Sequence, residues 1–307
     1  MTSSRKSTPF KKSHPVLFAT KREIFEFIDQ NREKHSISMM CRIYGVSRDG
    51  YNSWRRRGVC ERRREDSELF EHIRSIFDRH DGCYGSPKIT EELRKRGIYV
   101  GQKRVARIMR NHGLKAVKSR IYTARPGMYT HVYGITCKIE GIKVSRPNQL
   151  WVGDVTYIKL RDGSWQYLSV VMDRYSRKIV AWSLSDRRDV SLTLSSIDRA
   201  VRNRGHHREL IFHSDRGSEY LSGQYRERLR RYGITQSMNR VKNMNDNAFI
   251  ESFFHQFKTE RIKRLAVDSA EQLRSIVTGY MRYYNTQRSH SSIGYVSPHE
   301  FECKINC

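Results

Sequence analysis

Hydrophobic and polar positions fall into two textures along the 307 residues. Up to about residue 121 the apolar residues recur at helical spacing. Ile24, Phe25, Phe27 and Ile28 make one stripe over residues 21–31. Residues 37–57 predict a helix through Tyr44, a turn at Gly45–Val46, and a second helix capped by Ser47. That is the helix-turn-helix layout, in which the capped second helix enters a major groove. A second such unit follows. Leu69, Ile73, Ile76 and Phe77 share a face over residues 66–79. Ser86 is expected to cap, and Pro87 to open, a helix over 88–96. The last helix, 102–111, turns Val105, Ile108 and Met109 inward and ends at Gly113. Residues 122–148 are punctuated by Pro126, Gly127, Gly134, Gly141 and Pro147 and read as a connector.

From Gln149 the pattern becomes that of strands. Residues 150–160 and 165–173 form an expected hairpin around Asp162-Gly163, and 178–184 a third strand. A helix over 190–204, a short buried strand over 209–213, a helix over 218–232 and a fifth strand over 234–237 follow. Helices resume at Asn247. Strands that begin antiparallel and are later joined by helices indicate a mixed α/β sheet.

Charge adds a partner. Lys and Arg number 59 against 32 Asp and Glu, a net charge of +27. Such an excess is the footprint of a polyanion binder. It is concentrated early: residues 1–150 hold 33 basic and 15 acidic residues, and residues 101–125 hold eight basic and none acidic. The expected DNA contacts are Arg48, Arg55, Arg56 and Arg57 on the first recognition helix. Lys103, Arg104, Arg107 and Arg110 are expected on the outer face of the 102–111 helix. No apolar run is long enough to span a membrane. Six scattered cysteines without a CxxC give neither a zinc ribbon nor a disulfide framework, which fits a reduced, cytoplasmic setting.

Three acids stand where the sheet would converge. Asp154 lies within the first strand, Asp215 just after the fourth, and Glu251 on the helix that follows. Acids in strands are costly unless they bind metal or pair with cations. Clustered hard oxygens select Mg²⁺ or Mn²⁺, and two such ions can serve phosphoryl transfer. Taken singly, Asp215 also fits an Asx turn and Glu251 an ordinary helix surface.

Several motifs, in order, resemble the DDE-superfamily insertion-sequence transposases, and most nearly the OrfB-type product of the IS-three family. They are Trp151-Val-Gly-Asp-Val-Thr-Tyr-Ile158, His213-Ser-Asp-Arg-Gly-Ser218, Asp246-Asn-Ala-Phe-Ile-Glu-Ser-Phe-Phe254 and Tyr284-Asn-Thr-Gln-Arg-Ser-His-Ser-Ser-Ile-Gly-Tyr295. Tyr84-Gly-Ser-Pro-Lys-Ile-Thr-Glu-Glu-Leu93 also matches the family's helix-turn-helix. The likeness runs over roughly residues 36–302. It implies an RNase H-like, retroviral-integrase-like core with Asp154, Asp215 and Glu251 as the catalytic triad holding two Mg²⁺ (or Mn²⁺) ions. It implies that Lys258, seven residues after Glu251, holds terminal DNA. Four regions result: helix-turn-helix units over 1–60 and 61–121, a linker over 122–147, and the catalytic core with C-terminal helices over 148–302.

The resemblance further implies binding of terminal inverted repeats, Mg²⁺-dependent 3′-end cleavage and strand transfer, double-stranded DNA at the element ends and target, and a homo-oligomeric synaptic complex. An upstream-frame product as fusion or partner, and a nucleoid-associated cytoplasmic location, are also implied. Two departures stand out. Glu219 replaces a usual Gln, adding charge near the metal site or facing solvent, and Val241-Lys242-Asn243 stands where Lys-Gly-Asn is common. A non-catalytic DNA-binding regulator or decayed copy, and an RNase H-like nuclease, are the rival readings. His213 is expected to be a satisfied buried histidine. Phe253, Phe254 and Phe257 are expected to fill the core.

Overall fold

The computed structural model describes residues 20–57, 61–117, 135–240 and 247–305, the side chains of 57 and 61–63 excepted. Half of the expected linker, residues 122–134, and the Val241-Lys242-Asn243 run lie outside these residues. Chain contacts divide the molecule at Phe70 into two units.

In the first unit, α1 (Lys21–Gln30), α2 (Ile37–Ile43) and α3 (Arg48–Arg57) follow the hydrophobic stripes closely. Gly45 takes φ +67° in the turn between α2 and α3, a left-handed conformation that glycine adopts without steric cost. Ser47 Oγ accepts the Gly50 N–H at 3.0 Å, so the expected cap is present. Ile28, Met40, Cys41 and Tyr51 form the small core, with Phe25 and Trp54 against it.

The helix α4 (Glu61–Arg79) begins five residues before the expected start, because the Glu/Arg run ahead of Asp66 is itself strongly helix-forming. In the second unit it leads to α5 (Ser86–Lys95) and α6 (Gln102–Asn111). Gly85, not Ser86, is the N-cap of α5. Its carbonyl takes the first helical bond, from Ile89 N–H at 3.1 Å, and Ser86 is already helical.

The sheet is built from β1 (Leu150–Lys159), β2 (Trp165–Asp173), β3 (Ile179–Ser185), β4 (Ile211–Ser214) and β5 (Thr235–Met238). Its order is β3-β2-β1-β4-β5. The first three strands are antiparallel, while β4 and β5 run parallel to β1. Helix α7 (Val190–Arg204) links β3 to β4. The helix expected over 218–232 is instead two, α8 (Ser218–Leu221) and α9 (Gly223–Arg231). The break falls at Ser222, whose backbone is extended and whose hydroxyl caps α9 through Tyr225 N–H. Three more helices follow, α10 (Ala248–Glu260), α11 (Ala270–Thr286) and α12 (Pro298–Ile305).

Alternation in the central strands sends side chains to two cores. Val152, Ile158, Leu168 and Val170 face Phe253, Phe257, Leu273 and Tyr280 of α10 and α11. Trp151, Val171 and Ala181 face Ile197, Tyr225 and Leu229 of α7 and α9. The five-stranded mixed sheet between two helical layers is the RNase H-like α/β architecture, with a helical region before it.

Gly153 is the narrowest point of this packing. A Cβ there would overlap the Phe212 ring of the neighbouring β4. Gly153→Ala is expected to lower stability by about 1–3 kcal/mol, the usual cost of overpacking a core. Thermal unfolding followed by circular dichroism measures it, and an unchanged melting temperature contradicts the packing described.

Candidate active site

Because β4 pairs only with residues 150–153 of β1, the strand edge beyond Gly153 is open on that side. Asp154 is the first residue past the pairing, half-buried, and Asp215 follows the end of β4. Glu251 rides on the first turn of α10 and is exposed. Sheet topology therefore draws together residues that are 61 and 36 positions apart in sequence.

Their electrostatics report the proximity. Burial, then the charge of Asp215, pushes the Asp154 carboxyl well above the usual range, and Glu251 and Glu219 add to it. Burial and then Glu219 raise Asp215 against the lowering effects of the Gly217 N–H and Arg188. Partial loss of solvent and the charge of Asp215 raise Glu251. Each aspartate gives one oxygen to a local N–H. Val155 N–H donates to Asp154 Oδ1 at 2.7 Å, and Gly217 N–H to Asp215 Oδ1 at 3.0 Å, the latter an Asx turn. Among the described residues no three His, Cys, Asp or Glu side chains converge closely enough to hold a metal ion as they stand. The charges of the three carboxylates nevertheless act on one another, and their hard oxygens are the donor type a small divalent cation takes.

Lys258 sits half-buried at the edge of this cluster. Burial lowers its pKa, while the charge of Asp154 opposes that shift. Its Nζ stands 4.7 Å above the exposed Tyr157 ring, which meets Trp165 edge to face at 5.3 Å. This exposed aromatic pair was not singled out in the sequence.

Glu219 does not face solvent. It is buried at the start of α8, and its Oε1 accepts from Arg188 Nε at 3.2 Å and Nη2 at 3.0 Å. Although burial opposes it, the charge of Glu219, followed by those of Asp215 and Asp154, raises the pKa of Arg188. Arg188→Met is expected to cost about 1–3 kcal/mol by stranding a buried carboxylate, and adding Glu219→Gln to restore most of that. Melting temperatures of the single and double variants check this, and additive losses contradict it.

His213 is buried between Ser237 Oγ at 2.9 Å and Asn239 Oδ1 at 2.7 Å, a satisfied histidine. Phe253, Phe254 and Phe257 fill the core as expected. The Tyr284–His290 segment packs inward. Asn285 bridges to both backbone groups of Ile179, and Arg288 pairs with Glu260 at 2.6 Å.

The expected DNA contacts lie on two separate helices. On α3, Arg48 and Arg56 are exposed, and Arg55 lies 3.6 Å from Asp29. The side chain of Arg57 lies outside the described residues. On α6, Lys103 and Arg110 are exposed and Arg104 and Arg107 half-buried, opposite the buried Val105, Ile108 and Met109. These positions are remote in sequence from the carboxylates.

Comparison with known proteins accords with this arrangement. Integrase core domain families match residues 144–244 and 232–298, and an HTH-like domain family matches residues 63–122. Transposase InsF for insertion sequence IS3A of Escherichia coli (strain K12) is 36% identical, over 91% of this chain and 98% of the relative. The insertion element IS600 uncharacterized 31 kDa protein of Shigella sonnei is 32% identical, over 87% and 98%. Among solved structures, the HTLV-2 integrase catalytic core domain in complex with magnesium is 20% identical over 51% of this chain and 97% of that one, with a TM-score of 0.42. Long identity to IS3 relatives, with an HTH-like region ahead of an integrase core, places this chain in the family of IS3-type insertion-sequence transposases.

Proposed function

We propose that the chain binds the terminal inverted repeats of a bacterial insertion sequence, cleaves DNA to expose a 3′-OH, and joins that end to target DNA. The observation that carries this reading is the placement of Asp154 and Asp215 at the open edge of an integrase-type sheet, with Glu251 on the first turn of α10. Such a cluster is unfavourable by itself and is what a divalent cation site requires. Asp154, Asp215 and Glu251 would hold Mg²⁺ or Mn²⁺, two ions in this reading. When bound, the ions supply charge neutralisation and Lewis acidity to the attacking and leaving oxygens of an in-line displacement.

The chain's own groups do the rest. Lys258 offers its ammonium to a DNA phosphate beside Asp154, fixing the strand at the cluster. Arg188 neutralises Glu219, so that the added carboxylate does not repel the strand. In the first step water's oxygen bonds to phosphorus and the 3′ oxygen leaves as a hydroxyl. In the second that hydroxyl's oxygen bonds to a target phosphorus and the target strand's own 3′ oxygen leaves as a hydroxyl, so no covalent protein–DNA intermediate is needed. The basic faces of α3 and α6 are assigned to the DNA ends, and two ends call for a homo-oligomeric assembly. The upstream-frame product is a candidate fusion partner. Among the described residues no helix is long and apolar enough to cross a membrane.

The test is incubation of the chain, alone and fused to the upstream product, with labelled terminal-repeat DNA and Mg²⁺. End binding with no cleavage in either form favours the regulator reading and overturns this one.

A further inference from the structure

A second charged site lies on another face of the catalytic helix. A cavity of about 430 Å³ is lined by Ser252 and Gln256 of α10, Lys88 of α5, Arg177 of the β2–β3 turn, and Arg288 and His290 of the segment after α11. Ser252 directly follows Glu251. From Ser252 to Gln256 the wall runs about 6 Å along the helix axis at ~1.5 Å per residue.

Positive charge in this cavity exceeds what the protein neutralises. The acid closest at hand, Glu260, is committed: it accepts two bonds from Arg288, at 2.6 and 3.1 Å, and one from Tyr280 Oη at 2.9 Å. Lys88 stands over the Tyr84 ring at 4.7 Å, and Arg177 over the Phe249 ring at 3.9 Å, with Arg174 stacked on the same ring. Burial, and then the charge of Arg288, lowers Lys88 to about 7. An anionic guest would restore its charge.

Unused donors point the same way. Arg177 Nε is buried without a hydrogen-bond partner, and its backbone holds φ +66°, an uncommon conformation for a non-glycine residue. His290 is more than nine-tenths buried. Its Nδ1 lies 3.5 Å from Arg288 Nη1. Its Nε2 is buried with no hydrogen-bond partner. The Lys88 ammonium, the unpartnered Arg177 Nε–H and the unpartnered His290 Nε2 therefore line one cavity.

We propose that this cavity is a phosphate subsite, which seats a backbone phosphate of the DNA strand that runs along α10 from the reacting phosphate. It rests on the strand-transfer reading above. Lys88, Arg177 and His290 are positioning residues, holding the strand rather than touching the reacting atoms.

The test uses the full chain and end-labelled duplex in a salt series, with Arg177→Gln, Lys88→Met and the conservative Lys88→Arg. Each neutralising variant is expected to flatten the slope of log affinity against log salt by about 0.9, the value of one phosphate contact. Their losses are expected to be less than additive, because both cations hold one guest. Lys88→Arg is expected to recover the slope. A second arm places a single methylphosphonate at each position of the duplex. One position is expected to weaken wild-type binding about tenfold or more, and to have no effect in Arg177→Gln.

A third arm titrates inorganic phosphate. If wild type binds it, the variants do not, and no DNA position is penalised, the anion site stands with a free phosphate as its guest. Wild-type slopes in both neutralising variants, with neither a penalised DNA position nor phosphate binding, overturn the proposal while DNA binding survives. No DNA binding by wild type at all, and no phosphate binding, overturns the parent reading and this one together.

Discussion

Asp154→Asn is expected to abolish DNA cleavage and at the same time make the metal-free chain more stable. The loss of rate is expected to be at least about a thousandfold, equivalent to roughly 4 kcal/mol of transition-state stabilisation. The gain in stability follows from the same geometry. Asp154 is raised by burial and by Asp215, so its ionisation opposes folding. A carboxyl whose folded pKa lies above its unfolded one contributes stability below the unfolded value, and that stability is lost as pH rises through the folded pKa. The asparagine variant escapes this loss. Its advantage is therefore small in acid and grows toward neutral pH, reaching about 0.5–2 kcal/mol, typical of relieving strain at a functional site. Melting curves across pH, set beside cleavage rates, measure both halves. A destabilised Asp154→Asn contradicts the repulsive cluster even if activity is lost.

Arg288→Ala is expected to be the most destabilising single change in the second unit. Arg288 and Glu260 have side chains only 7% and 9% exposed, and truncating the arginine leaves a buried carboxylate with Tyr280 as its remaining donor. Breaking such a pair costs about 3–5 kcal/mol. At about 2–4 °C per kcal/mol for a domain of this size, the melting temperature falls by roughly 6–20 °C. The pH dependence changes sign. In the wild type burial pushes Glu260 up, but the Arg288 hydrogen bonds and charge bring it below the ordinary value. Its contribution is thus present above the unfolded pKa and lost as pH falls. In the variant burial is still opposed by the Tyr280 hydroxyl and the Lys88 charge but no longer by Arg288, so the deficit shrinks on acidification. Arg288→Ala with Glu260→Leu is expected to recover much of the loss, since apolar replacements of buried pairs are often neutral or better. A deficit independent of pH contradicts the assignment.

The fold was legible where a local pattern dictates the outcome. Continuous apolar runs bounded by turn residues located all five strands, and the Gly45 turn with its Ser47 cap located α2 and α3. Misreadings arose where two local solutions compete. Ser222 caps a new helix within an unbroken helical pattern, and Gly85 takes the cap that Ser86-Pro87 advertises. The candidate carboxylates stood out because acids in or beside buried strands are costly. What the sequence does not carry is long-range pairing. Glu219 looks like a free charge until Arg188, 31 positions earlier, is brought against it. Likewise Lys88 and His290 lie in two separate motifs and Arg177 in neither, and only the packing of α5 and the β2–β3 turn around α10 brings them together.

The most direct measurement is product mapping with terminal-repeat DNA in Mg²⁺, with chelator as control, for wild type, Asp154→Asn, Asp215→Asn and Glu251→Gln. The expected result is a metal-dependent nick that leaves a 3′-OH at the element end with wild type, and none with any of the three variants although each still binds the DNA. Cleavage by the variants at the wild-type rate, or end binding by wild type with no 3′-OH ever produced, would contradict the account.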